Sequence, residues 1–226
     1  MFAPSIKTFL QDKVLRIRKK EAFLRSLEPR CSILDVGCGN NSPHQTKSIL
    51  PMCRYTGLDI GDYNQTRENL ADDYILVSPE DFARKIAEQA NRFDVVISSH
   101  NLEHCNDRHE TLQAMMAALK PSGRIYLAFP SEASVTFSGS RAGCLNYYDD
   151  PTHKDAPPKF NDVIQLLQRQ GFRIDFSTRG YKHPFLWLRG FLNEHRSKKS
   201  AKIEKGTWEY YGFEALVWAR KSDLSK

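Results

Sequence analysis

The sequence predicts an α/β protein built on a mostly parallel, doubly wound sheet. Three observations carry that prediction. From about residue 30 onward, short β-rich runs alternate with amphipathic helical runs; a Gly-Cys-Gly turn closes the first of those strands; and no repeat or Pro/Gly/Ser linker divides the 226 residues. Alternation of this kind lays successive strands parallel, with helices on both faces. Right-handed crossovers then wind the sheet in two directions.

The elements follow in order. Residues 5–27 read as a helix, since Ile6, Phe9, Leu10, Val14, Ile17, Phe23 and Leu24 fall near helical spacing and Pro29 lies beyond its end. Cys31 to Val36 is the first strand, and a helix follows near Ser42 to Leu50. Arg54 to Ile60 and Tyr74 to Val77 read as the second and third strands, with Pro79 to Asn91 helical after them. Phe93 to Ser98 is the fourth strand, followed by a helix through Leu112, Met115, Met116 and Leu119. Lys120 to Gly123 turns the chain into a fifth strand at Arg124 to Phe129, and a long irregular stretch covers 130–158. A helix through Val163 and Leu167, a strand from Phe172 to Ser177 and a last strand from Phe213 to Ala219 complete the pattern. One domain over 1–226 is expected: an N-terminal helix at 1–29, a core at 30–178, an insertion at 179–212 and the last strand at 213–221.

With 40% hydrophobic and 11% aromatic residues the chain can bury a sizeable core, which excludes wholesale disorder. No signal peptide is legible, and no apolar run approaches the ~20 residues of a membrane span, so a cytoplasmic protein is expected. Five scattered cysteines without a C-x-x-C argue for free thiols rather than a disulfide framework or a zinc site. The formal charge of +6 is local: eight Lys/Arg against two acids lie between Arg179 and Lys205. Such a patch suits an anionic substrate, nucleic acid or a membrane surface, or is a solvated helix face.

Ligands of doubly wound sheets sit beyond the carboxyl ends of the strands, where strand order reverses. Gly37 and Gly39 stand at such a place, where backbone must turn sharply and approach a ligand closely. Asp59 ends the second strand, 20 residues after Gly39, and suits ribose hydroxyls. Three details separate a methyl-donor site from a dinucleotide site. Ser42 replaces the third glycine; Asp35, just before the turn, could neutralise a cofactor ammonium but would repel a pyrophosphate; and no Gly-Lys-Ser/Thr follows.

Taken together, Ile33-Leu34-Asp35-Val36-Gly37-Cys38-Gly39, Gly57-Leu58-Asp59-Ile60, Phe93 to Ser98 with Leu102-Glu103-His104, and Leu119 to Arg124 resemble motifs of class I S-adenosylmethionine-dependent methyltransferases, in their small-molecule branch. The resemblance runs over about residues 30–220. It implies a Rossmann-like, seven-stranded sheet whose last strand is antiparallel, and S-adenosyl-L-methionine as cofactor. The cofactor wall it implies comprises Asp35, Gly37, Cys38, Gly39 and Asn40, then Asp59 on ribose and Ile60 on adenine. The backbone of Val77 and Ser78, with Glu80 second, is expected near the adenine end, and Ser98 and Ser99 close the wall.

Methyl transfer needs alignment of donor and acceptor and, for a hydroxyl acceptor, removal of a proton. Two places offer suitable groups. If His100-Asn101-Leu102-Glu103-His104 turns helically, positions i, i+3 and i+4 share a face, and His100, Glu103 and His104 could hold one divalent metal. Ubiquinone-pathway O-methyltransferases resemble this stretch with a carboxylate where His100 stands, so the metal this implies needs His100 as a substitute ligand. Without metal, His100 is expected to line the active site. The second place is Asn146 to Lys154, whose Asp-x-Thr-His resembles sugar- and polyketide-type methyltransferases. There His153 is the expected base, with Asp150 orienting it or contacting substrate, while Tyr147 and Tyr148 wall the pocket or pack the loop.

The insertion carries an apolar cluster, His183 to Leu188 with Phe191 and Leu192, ahead of its basic run. It is expected to lid the pocket, support a homodimer or touch a membrane; as a lid it leaves a monomer. The expected activity is methylation of a small-molecule acceptor, on oxygen of a sugar, phenol or related metabolite. RNA or protein methylation, and non-catalytic cofactor binding, are the alternatives. No base-methylating Asn-Pro-Pro-Tyr motif and no appended RNA-binding module speak for nucleic acid.

Overall fold

The computed structural model describes residues 17–137, 146–200 and 202–222. Its strands are β1 (Ser32–Val36), β2 (Arg54–Asp59), β3 (Asp73–Leu76), β4 (Phe93–Ser99), β5 (Leu119–Pro130), β6 (Phe172–Thr178) and β7 (Glu214–Lys221). Its helices are α1 (Lys20–Leu24), α2 (Ser42–Ile49), α3 (Phe82–Ala87), α4 (Arg108–Ala118), α5 (Phe160–Arg169), α6 (Pro184–Ser200) and α7 (Thr207–Tyr211). The strands form one seven-stranded sheet in the order β3-β2-β1-β4-β5-β7-β6. β7 is antiparallel to β5 and β6, and the other pairs are parallel.

The central strands β1 and β4 carry apolar residues on both faces because both are covered. Leu34, Val36 and Val96 point into one layer with Met115 and Leu127, while Ile33, Ile97 and Tyr126 point into the other with Phe23 and Trp218. The chain leaves β1 toward β2 and β3, then returns to place β4 on the other side of β1. That reversal opens a crevice beyond the carboxyl ends of β1 and β4.

Four elements differ from the sequence expectation. Of the N-terminal helix the described residues show only Lys20–Leu24; residues 5–16 of that reading, like Cys144, lie outside them. The helix expected over 79–91 is shorter, because Ser78 to Asp81 forms a turn (Asp81 N to Ser78 O, 3.1 Å) and Asn91 leaves the helix with φ 55°. Lys120 to Gly123 is part of β5, which already pairs at Leu119 with Phe93. The register shifts between Phe93 and Val95, and Ser122 on the facing stretch of β5 is left-handed (φ 60°). The insertion folds as a hairpin of α6 and α7. There Gly190 is required: a Cβ at that position would strike the carbonyl of Gly206. No helix of the described residues is long and apolar enough to cross a membrane.

Gly190→Ala is therefore expected to destabilise the protein by about 1–3 kcal/mol through overpacking, read as a lower urea midpoint. Gly61→Ala, whose Cβ meets nothing within 4 Å, is the neutral control.

Candidate functional site

The crevice is a cavity of about 1310 Å³. Its walls come from the turn after β1 (Gly37, Gly39, Asn40), the end of β2 (Asp59, Ile60), the turn after β3 (Pro79, Glu80), the segment after β4 (99–101 and 103–107), and Asn146, Tyr147 and 150–154, with Ile203 and with Trp208 of α7.

In the donor half, Gly37 is left-handed (φ 75°), and a Cβ there would lie 2.6 Å from the Asn101 side chain. A Cβ on Gly39 would lie 2.9 Å from the Tyr63 carbonyl. Asn40 and Asn41 continue the turn with φ 56° and 59°, and Asn40 N donates to that same carbonyl at 2.9 Å. Asp59 sits at the strand end with one oxygen accepting from Ile60 N at 2.7 Å. Burial pushes its carboxyl up, and the nearby Asp35 charge adds to that. Ile60 is exposed on the cavity wall, as a base-stacking residue would be.

Asp35 does not reach the cavity. Its Oδ2 accepts from Lys20 Nζ (2.9 Å), Ser42 Oγ (2.5 Å) and Tyr55 Oη (2.8 Å). The ammonium that the sequence reading assigned to a cofactor is here a protein ammonium, and Lys20 is what lines the cavity. Cys38 turns its thiol inward against Gly57 and Tyr74, where burial raises its pKa, so only its backbone stays at the turn. Val77 packs against the core, and the Ser78 hydroxyl is tied to Asp81 in the turn before α3, at 3.3 Å. Ser98 is buried under Asn101, at 3.4 Å from its amide. Among these, Glu80 and Ser99 are on the wall and Val77, Ser78 and Ser98 are not.

The acceptor half is fixed by hydrogen bonds that decide which ring nitrogens carry protons. Asn146 caps a 3-10 turn at Tyr147–Asp149, and this aims the Tyr147 carbonyl at His153. His153 Nδ1 meets that carbonyl at 2.6 Å, so Nδ1 holds the hydrogen and Nε2 keeps a lone pair. The ring also stacks on Tyr147 at 4.3 Å. Thr152 Oγ1 gives its one proton to Asp150 Oδ1 (2.6 Å), so it must accept from His104 Nδ1 (2.9 Å). His104 Nε2 is left with a lone pair as well. Glu103 is buried, and its Oε2 has no hydrogen-bond partner. Ligand atoms of Glu103, His104 and His153 lie within 4.8 Å of one another.

Two expectations are thereby corrected. Asp150 lies 3.8 Å from His153 Nε2, beyond a hydrogen bond, so Tyr147 rather than Asp150 orients the imidazole. Burial pushes the Asp150 carboxyl up, but hydrogen bonds from Thr152 prevail and hold it below its usual value. His100 does not share a ligand face with Glu103 and His104. It precedes a 3-10 turn (Leu102–His104) with φ 53°, and both its ring nitrogens face carboxylates. Nδ1 meets Glu103 Oε1 at 3.2 Å and Nε2 meets Glu214 Oε1 at 3.1 Å. His153 takes its place in the cluster. Tyr147 lines the cavity, whereas Tyr148 is exposed off its wall.

A methyltransferase-domain family model matches residues 5–217. The chain belongs to that family. Its class I members draw the methyl group from S-adenosylmethionine, as the motifs around Gly37 and Asp59 implied. The chain is 30% identical over 120 residues to a ubiquinone biosynthesis O-methyltransferase of Xanthomonas axonopodis pv. citri (strain 306), a match covering 50% of this chain and 48% of that one. It is 26% identical over 142 residues to the 27-O-demethylrifamycin SV methyltransferase of Amycolatopsis mediterranei (strain S699), covering 58% and 52%. The matches thus span about half the length of these curated relatives. A SAM-dependent methyltransferase from Archaeoglobus fulgidus shares the fold, with a TM-score of 0.55 at 19% identity over 94% of this chain and 99% of that one.

In this methyltransferase-domain protein the sequence reading missed Lys20, Tyr63, Asn101, Trp208 and Glu214. Lys20 sits in a basic run that looks solvated, and Glu214 opens a strand far along the chain. Neither carries a local signal, because each gains its role only through a partner distant in sequence.

The His100 bonds give the site a pH signature. Burial alone would lower the His100 pKa, but the hydrogen bonds and charges of Glu103 and Glu214 raise it from 6.5 to about 10. Burial alone would raise Glu214, but His100 and Lys19 bring it from 4.5 down to about 2. His100 therefore contributes stability that is full below pH 6.5 and fades toward 10. Glu214 contributes stability that is full above pH 4.5 and fades toward 2. The melting temperature is expected to fall on both sides of that window, and His100→Gln should flatten the alkaline limb.

Proposed function

We propose that this chain transfers a methyl group from S-adenosyl-L-methionine to a hydroxyl of a small-molecule acceptor, a sugar, phenol or related metabolite. The observation that carries this reading is one cavity holding both the Asp59 carboxylate and the lone pair of His153 Nε2. When bound, the cofactor supplies a methyl already activated on a sulfonium. Asp59 would accept from its ribose hydroxyls, Ile60 would flank its adenine, and Lys20 would oppose its carboxylate. The protein then has to align the two reactants. His153 takes the acceptor proton on Nε2, and the Tyr147 carbonyl holds Nδ1–H as the ring becomes cationic. His100 is unsuited to that role, since both its nitrogens are engaged and it is already protonated at neutral pH. The O-methyltransferases among the relatives agree with an oxygen acceptor.

A second reading is favoured by one observation, the convergence of Glu103, His104 and His153. Two imidazole lone pairs and an unpartnered carboxylate oxygen fit a divalent cation, with each ring's other nitrogen anchored by Tyr147 or Thr152. A cation there would polarise the acceptor hydroxyl and lower its pKa.

Calorimetry is expected to show binding of S-adenosylhomocysteine, weakened about ten- to a hundredfold in Asp59→Ala by loss of charge-assisted bonds; binding of NAD instead would sink the cofactor assignment. His153→Ala should bind donor normally and turn over about 10²–10⁴-fold more slowly, while full activity would remove the base assignment. Elemental analysis decides the second reading: one divalent ion per chain, lost in His104→Ala, supports it, and metal-free protein with full activity removes it.

A further inference from the structure

α6 is turned inside out for a helix of a water-soluble fold. The residues it buries are Gly190 and Ser197, two small ones that let it lie against α7. Of its large apolar side chains Leu186 packs half-buried against the core, whereas Phe185, Leu188, Phe191 and Leu192 are 50%, 52%, 51% and 71% exposed. In α-helical spacing 188, 192, 195 and 199 fall on one stripe. The stripe therefore begins with Leu188 and Leu192 and ends with His195 and Lys199. Arg189, Arg196, Lys199 and Lys202 are exposed around it and form no ion pair among the described residues. Lys198 alone of this group is paired, to Glu194 at 2.5 Å. A contiguous exposed apolar face needs a partner, and the charge beside it selects which one.

We propose that the outer face of α6 docks on an anionic membrane surface. The two N-terminal turns enter the headgroup region through Phe185, Leu188 and Leu192, and the cations of the C-terminal turns meet lipid phosphates. A second copy of this chain fits the face poorly. A two-fold contact presents the same patch from both sides. Antiparallel pairing over the whole stripe lays apolar turns on cations, parallel pairing lays cations on cations, and a two-fold centred on Leu188 and Leu192 buries only those side chains and leaves the cations without a partner. The hairpin that bears this face also contributes to the cavity wall through Ile203 and Trp208. The proposal does not depend on the identity of the acceptor.

The test is co-sedimentation of the full chain with phosphatidylcholine vesicles, with and without about 30 mol% phosphatidylglycerol. Binding is expected on the anionic vesicles, reduced at least about tenfold in a Leu188→Ser/Leu192→Ser variant and weakened by high salt. Unchanged S-adenosylhomocysteine binding and melting temperature in that variant establish that the fold is retained. If the variant sediments as the wild type does, the contact is adsorption of charge and the proposal is overturned. It is equally overturned if the wild type ignores both kinds of vesicle. A stable wild-type dimer that the variant dissolves, without vesicle binding, would assign the face to a second copy.

Discussion

A chain of alternating charges runs from α7 to the crevice wall, which it reaches at His100 and Glu103. Glu209 contacts Lys19 at 2.6 Å, Lys19 contacts Glu214 at 2.8 Å, and Glu214 and Glu103 flank His100 at 3.1 and 3.2 Å. These groups come from α7, the residues before α1, the start of β7 and the segment after β4, which are otherwise remote in sequence. Charges withdrawn from water lose far more when a partner is removed than the pair gains on forming. Each member therefore fixes its neighbours, and the four elements hold the rim of the cavity in one arrangement. The left-handed backbone of His100 belongs to this constraint, because only that conformation delivers its ring between the two carboxylates.

A division of labour among the histidines follows. His100, saturated with carboxylates, is a fixed cation that neutralises Glu214 and one oxygen of Glu103. His104 and His153 are anchored through Nδ1 by neutral oxygens, which leaves their Nε2 atoms free toward the cavity. Three residues of one type thus have different hydrogen-bonding roles because their partners differ. The same logic places Lys20 on Asp35: a buried carboxylate beneath a cofactor loop is tolerable when a cation and two hydroxyls meet it. Its charge is then presented to the cavity through Lys20, with the sign reversed.

The α6–α7 hairpin shows how packing constraints redistribute apolar surface. Close approach of the Gly190 and Gly206 backbones leaves no room for a side chain at that crossing, and several bulky residues of α6 are left on its outer side. Trp187 and Phe191 recover part of their contact by clustering with Tyr210, at 5.3 and 5.9 Å. Phe185, Leu188 and Leu192 do not, and they remain the apolar edge of a strongly cationic surface.

Much of the fold was legible in residue order alone. Short β-rich apolar runs bounded by turns located the strands, and Gly37, Gly39 and Asp59 located the cofactor end of the sheet, because those features depend on neighbours within a few positions. His153 was legible as a candidate base from its place in a long loop. The amphipathic pattern of α6 was legible too, but not which of its faces would be buried. Tertiary structure decided that His100 is a bound cation, that Tyr147 rather than Asp150 orients His153, that His153 joins Glu103 and His104, and that Lys20 covers Asp35. The contacts of Glu214 with His100, of His153 with Glu103 and His104, and of Lys20 with Asp35 join residues that the fold brings together, while the Tyr147–His153 bond is made locally by the 3-10 turn that Asn146 caps. A side chain's protonation and direction are set by those partners, and local sequence does not contain them.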